Sequence, residues 1–131
     1  MMGRMARFLS EEWFTLVRGV VSASDEAAPG GGTVSVRHRV TGGPDGDVDY
    51  VVRAGAAGYS VEPGAEGPVD IEIVESYESA AAIGQGTLTP ADAFAAGRLT
   101  LGGDVALLAE RQADFAALGE LLAPVRAVTT Y

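Results

Sequence analysis

The chain carries a single imidazole, His38, together with phenols at Tyr50 and Tyr77, and these are the groups best suited to move protons. It has no cysteine, and its nine basic residues are all arginine. Thiolate nucleophiles, disulfides, iron–sulfur clusters and cysteine-bound zinc are therefore excluded, as are Schiff bases and lysine-gripped phosphate loops. One histidine cannot build a multi-histidine metal site, so neither a metal nor a cofactor is expected. The remaining chemistry is proton transfer by His38, whose side-chain type titrates near 6.5, with Tyr50 or Tyr77. The same groups could instead hold a ligand hydroxyl or carboxylate.

Other polar groupings have simpler readings. Asp45, Asp47 and Asp49 alternate through a glycine turn, but a calcium loop of roughly 12 residues opened at Asp45 would end on Ala56 instead of a bidentate glutamate. Glu72, Glu75 and Glu78 read as a solvated acidic surface. Asp104 follows a glycine pair and precedes an apolar run, which makes it a helix cap. Gly30, Gly31 and Gly32 lack a nucleotide fingerprint and read as a flexible loop.

The elements that must position these groups follow from periodicity. Ser10 with Glu11 and Glu12 opens a helix, since a hydroxyl caps it and acids suit its positive end. Trp13, Phe14, Leu16, Val17, Val20 and Val21 give that helix a broad apolar face. A loop over residues 25–32, with Pro29, ends it. From residue 33 to 41, Val34, Val36, His38 and Val40 alternate with Ser35, Arg37 and Arg39, which predicts a half-buried strand. A turn over 43–47 leads to a second strand, where Val48, Tyr50 and Val52 share a face, so the pair forms an antiparallel hairpin. His38 and Tyr50 are thereby expected to face the apolar side, and whether they pair depends on the register.

A third strand carries Tyr59 and Val61, and a turn over 63–68 leads to a fourth with Val69, Ile71 and Ile73 inward. These strands read as a meander with one wet face. A short helix over 76–83 follows, ended near Gly84 and Gly86. Thr89, Pro90 and Asp92 start another helix, which ends at Gly97. A fifth strand runs over 98–101, and a helical region over 105 to about 122 buries Leu107, Leu108, Phe115, Leu118, Leu121 and Leu122.

The order of these elements resembles the sterol carrier protein 2 (SCP2-like) family. Its most specific stretch runs from Val69 to Asp104. There the acidic-alternating strand leads to Ser76-Tyr77-Glu78-Ser79, and Thr89-Pro90-Ala91-Asp92 starts a helix followed by Gly97-Arg98-Leu99 and Gly103-Asp104. The match in element order covers about residues 8–122, within one domain spanning 1–131. The resemblance implies an α+β fold, a five-stranded mainly antiparallel sheet with one face covered by helices, enclosing an apolar cavity for sterols, fatty acids or acyl chains. It carries no general catalytic motif. This chain departs from the family's better-known basic, peroxisomal members, being acidic and ending in Thr129-Thr130-Tyr131.

Positions expected to line such a cavity are Trp13, Val17, Val36, His38, Tyr50, Val52, Ile73, Tyr77, Ile83, Phe94, Leu101, Leu107 and Phe115. A catalytic alternative, an isomerase or cyclase of a hydrophobic metabolite, would use His38, Tyr50 or Tyr77. A third reading is a dimerisation module, and a homodimer is a possible assembly. Composition bounds the rest: 131 residues with 47% hydrophobic and 21% charged suit one soluble globular domain. A formal charge of −9 repels phosphate backbones, so nucleic acid is not expected as a partner. No apolar run approaches roughly 18 residues, and the Arg4 and Arg7 start lacks a secretory core, so a cytoplasmic location is expected.

Overall fold

The computed structural model describes residues 5–24, 27–28, 30–44, 46–64 and 66–131. Arg4, Asp25, Pro29 and Asp45 lie outside them.

The chain enters through β1 (Ala6–Arg7) and α1 (Glu11–Ala23), and the Ser10 side chain accepts from the Trp13 amide as the N-cap. Phe14, Val17 and Val21 form the buried stripe of α1. The hairpin β2 (Val34–Gly43) and β3 (Gly46–Gly55) is antiparallel and sets His38 directly opposite Tyr50. The third strand, β4 (Gly58–Pro63), pairs antiparallel with β3.

β5 (Ile71–Ser76) does not extend this series as a meander. It crosses to the far side of β2 and pairs with it in parallel, giving the order β4-β3-β2-β5-β6. The geometry of the crossing explains why a tight turn was misleading. β4 ends beside Tyr50, at the level of His38, and β5 begins beside Val36, only one inward-facing position lower. A short stretch therefore suffices to traverse the outer face. Its Gly64 amide donates to the Asp49 carbonyl at 2.8 Å, and Arg37 Nη2 donates to the Gly67 carbonyl at 2.6 Å. Under this strap and the flanking Arg37–Glu72 and Arg53–Glu62 pairs, Val51 is wholly buried on the face the sequence assigns to water.

α2 (Tyr77–Gln85) starts at its Ser76 cap, and α3 (Pro90–Ala95) starts at Thr89 with proline in its first turn. β6 (Leu99–Gly103) completes the sheet beside β5. At its end, Gly103 has φ +80°, and a Cβ there would sit 2.3 Å from the Asp70 carbonyl oxygen, so only glycine fits. Asp104 then caps α4 (Val105–Glu110) through the Leu107 amide.

The single helical region expected from 105 to about 122 is interrupted. α4 closes at Arg111, α5 (Gln112–Leu121) restarts there, and α6 (Ala123–Ala127) follows before β7 (Thr129–Thr130) pairs in parallel with β1. The interruption coincides with an ion pair between Arg111 and the buried Asp114, whose carboxylate also accepts from the Gly30 amide at 2.7 Å. The loop after α1 and the start of α5 are thus tied together.

The helices and the inner face of the sheet enclose two neighbouring apolar clusters. One gathers Phe8, Phe14, Val17, Val40, Tyr50, Val52, Val61 and Leu118 under α1 and α5. The other gathers Val34, Val36, Ile71, Ile73, Ala93 and Leu99, with Leu101, Leu107, Leu108 and Phe115 packed against it. Phe115 lies where the two meet.

Candidate functional site

β2 turns His38 inward between Val36 and Val40, as the alternation requires. Its ring stacks flat on Tyr50, with centroids 4.7 Å apart and an interplanar angle of 5°. The stack continues into an aromatic chain: Tyr50 meets Phe14, Phe14 meets Trp13, and Trp13 meets Phe8, each at about 5 to 5.5 Å and edge on. Aromatic pairs of this type prefer such tilted contacts and hold one another's orientation.

The third member of the polar group is Glu75, which the sequence reading placed on a solvated acidic surface. Glu72 and Glu78 are exposed, but Glu75 is buried, with 6% of its side chain exposed, and its Oε1 lies 3.5 Å from His38 Nδ1. The signal was present in the sequence. Ile71 and Ile73 face inward, and the same alternation carries Glu75 to that face. Within the fold, His38 Nδ1 is buried without a hydrogen-bond partner. Burial pushes the Tyr50 hydroxyl pKa far above the ordinary phenol value, and the Glu75 charge adds to the rise.

Three adjoining clefts open around this group. One, of about 230 Å³, is bordered by Phe8, Trp13, Tyr50, Glu75, Ile83 and Tyr131. A second, of about 220 Å³, is bordered by Val17, His38, Val52, Phe115, Leu118 and Leu122, and shares Trp13 and Tyr50 with the first. The third, of about 320 Å³, is bordered by Val36, His38, Ile73, Phe94, Leu101 and Phe115. The space beneath the helices is therefore divided into partly open pieces, the first and second sharing Trp13 and Tyr50 and the second and third sharing His38 and Phe115. A larger hollow of about 750 Å³ lies elsewhere, between α1 and the end of β4, with Glu11, Glu12 and Arg18 on its rim.

Eleven of the thirteen expected lining positions border these three clefts: Trp13, Val17, Val36, His38, Tyr50, Val52, Ile73, Ile83, Phe94, Leu101 and Phe115. Phe94 does so from an exposed position at the mouth of the third. Tyr77 and Leu107 border none of them. Tyr77 instead packs on Phe8, and its hydroxyl donates to the Phe8 carbonyl at 3.4 Å, so it holds the start of the chain. Leu107 packs into the second apolar cluster, while its neighbour Leu108 reaches the third cleft.

The sequence reading also missed the terminal contribution. Tyr131 and Arg126 border the first cleft; Arg126 donates to the carbonyls of Gly84 at 3.1 Å and Gly119 at 3.0 Å. Asp47 and Asp49 serve structure: Asp47 accepts from the Gly42 amide at 3.0 Å, and Asp49 pairs with Arg39 at 3.0 Å.

A mixed five-stranded sheet with helices over one face, in this order, is the SCP2-like fold. A Thermus thermophilus conserved hypothetical protein, possibly a sterol carrier protein, superposes with a TM-score of 0.67 at 21% identity, over 98% of this chain and 94% of its own. Sterol carrier protein 2 superposes with a TM-score of 0.69 at 21% identity, over 93% of this chain and 99% of its own. The palmitated SCP2L2 of Aedes aegypti superposes at 0.58 with 23% identity, over 88% and 96% respectively. No family model and no curated protein matches at the level of sequence.

Proposed function

We propose that this chain acts as one SCP2-like domain, with a core over about residues 8–122, that binds or carries a hydrophobic small molecule such as a lipid, fatty acid, acyl chain or sterol-like compound. The observation that carries the reading is the set of three adjoining apolar-lined clefts, the first sharing Trp13 and Tyr50 with the second, and the second sharing His38 and Phe115 with the third. Apolar clefts with few convergent polar groups are the usual form of small-molecule sites. Binding would be driven by removal of apolar ligand surface from water, about 25 cal/mol per Å². The His38, Tyr50 and Glu75 group would then orient the polar end. The structural neighbours support the reading because one carries a palmitoyl group and another is a sterol carrier protein.

The test is native mass spectrometry of the purified protein combined with displacement of a fluorescent acyl probe. Retained or displaceable lipid at one equivalent is expected. A protein that neither retains lipid nor takes up the probe would overturn the reading.

A further inference from the structure

The polar end of the site carries a charge that a carrier of anionic lipids would not be expected to place there. Among the described residues lining the three clefts, Glu75 is the one carboxylate, and His38 and Arg126 are the groups able to oppose it. Glu75 is almost fully buried and lines the first cleft together with Tyr50 and Trp13. Its field reaches the Tyr50 hydroxyl, where it adds to the effect of burial. Arg126 stands at the rim, exposed, with its guanidinium committed to the Gly84 and Gly119 carbonyls. His38 opposes Glu75 only when protonated.

From this arrangement we infer that Glu75 is a specificity-determining residue, a charge filter that makes the site favour neutral or cationic head groups over anionic ones. The inference rests on the binding reading above. Its physical basis is that two carboxylates brought together in a desolvated cleft repel far more strongly than in water. A hydroxyl can donate to Glu75 while its oxygen accepts from another donor, and an ammonium donates with opposite charge. A carboxylate can only accept.

The experiment uses three probes with one alkyl chain: 1-decanol, decylammonium and decanoate. Binding is read from the emission of Trp13, the sole tryptophan, which borders two of the clefts. Measurement at about pH 8.5 keeps decanoate ionised and decylammonium protonated. Repeating it in about 1 M salt, where the Debye length is about 3 Å, removes the pull of the overall negative charge and leaves the buried contact.

The expected result is decanoate at least about tenfold weaker than both other probes at high salt, with the gap falling to within about threefold of the alcohol in Glu75→Gln. The variant sets the reference for the intrinsic cost of burying an anion. Should Glu75→Gln fail to fold, comparison of decylammonium with decanoate on the unaltered protein still isolates the sign of the charge. Equal binding of those two at high salt, or a gap unchanged by Glu75→Gln, overturns the filter. Preferential binding of decanoate also overturns it and assigns head-group selection to Arg126. If none of the three probes binds, the carrier reading itself fails, an outcome distinct from either.

Discussion

Asp114 is wholly buried at the start of α5 and holds two things at once, the Arg111 guanidinium and the Gly30 amide. Replacing it with alanine strands a cation that keeps only a tenth of its side chain exposed and already has a buried Nη2 without a partner. Removing one member of a buried ion pair costs about 3–5 kcal/mol. The partial exposure of Arg111 places this case near the lower end. Gly30 is exposed, so water replaces its lost acceptor, and that bond adds only about 0.5–1.5 kcal/mol. The expected total is therefore about 3.5–4.5 kcal/mol, a large share of the roughly 5–15 kcal/mol that a domain of this size possesses.

Urea unfolding monitored by Trp13 emission measures it. The midpoint should fall with an unchanged slope, because the exposed surface on unfolding stays the same. The double variant Arg111→Met with Asp114→Leu removes both charges and should recover to within about 1–2 kcal/mol of the parent. A loss below about 1 kcal/mol for Asp114→Ala, or a double variant as unstable as the single one, would refute the claim that this buried pair stabilises the start of α5 and its tie to Gly30.

Two further outcomes can be checked in the same way. Tyr50 keeps its proton to a higher pH in the folded chain than in the unfolded one, so its contribution is intact below about pH 10 and is lost as pH rises toward the folded value. Tyr50→Phe should accordingly make the fall of stability above about pH 10 shallower, and an unchanged slope would remove Tyr50 as its source. Gly84 and Gly103 should respond oppositely to alanine. A Cβ on Gly84 meets the Tyr131 ring at 3.2 Å, and that ring belongs to an exposed terminal residue able to shift. Its helical position gains about 0.5–1 kcal/mol from alanine, so the melting temperature should hold or rise. Gly103→Ala drives a Cβ into the Asp70 carbonyl at positive φ and should lower it by several degrees; equal effects at the two sites would contradict the packing described.

Much of the site was legible because its signals are local. Strict alternation put His38 and Tyr50 on one face of a hairpin, and the short turn made that hairpin antiparallel, so their pairing needed only the register. The capping residues Ser10, Ser76, Thr89 and Asp104 each accept from an amide three positions on, a contact written into neighbouring residues. Glu75 was missed although alternation pointed it inward, because its charge type argued for solvent. Tyr77 was drawn into the site because an aromatic at a helix start looks like a lining residue, whereas its partner is Phe8 near the other end of the sequence.

The sequence by itself determined the types of the five sheet strands and of the helices that start after Ser10, Ser76, Thr89 and Asp104, their caps, the inward face of those strands and the acidic, cysteine-free chemistry available. Those depend on contacts two to four residues apart, which periodicity records directly. Tertiary structure alone decided that β5 crosses the outer face to lie parallel to β2, that Gly30 is tied to Asp114 at the start of α5, and that β1 pairs with β7. It also decided how the inner space divides around His38, Glu75 and Phe115. These features arise from competition between contacts far apart in sequence. Such a contact becomes favourable only after the loop entropy of bringing distant segments together has been overcome, and no local pattern encodes which of the competing partners prevails.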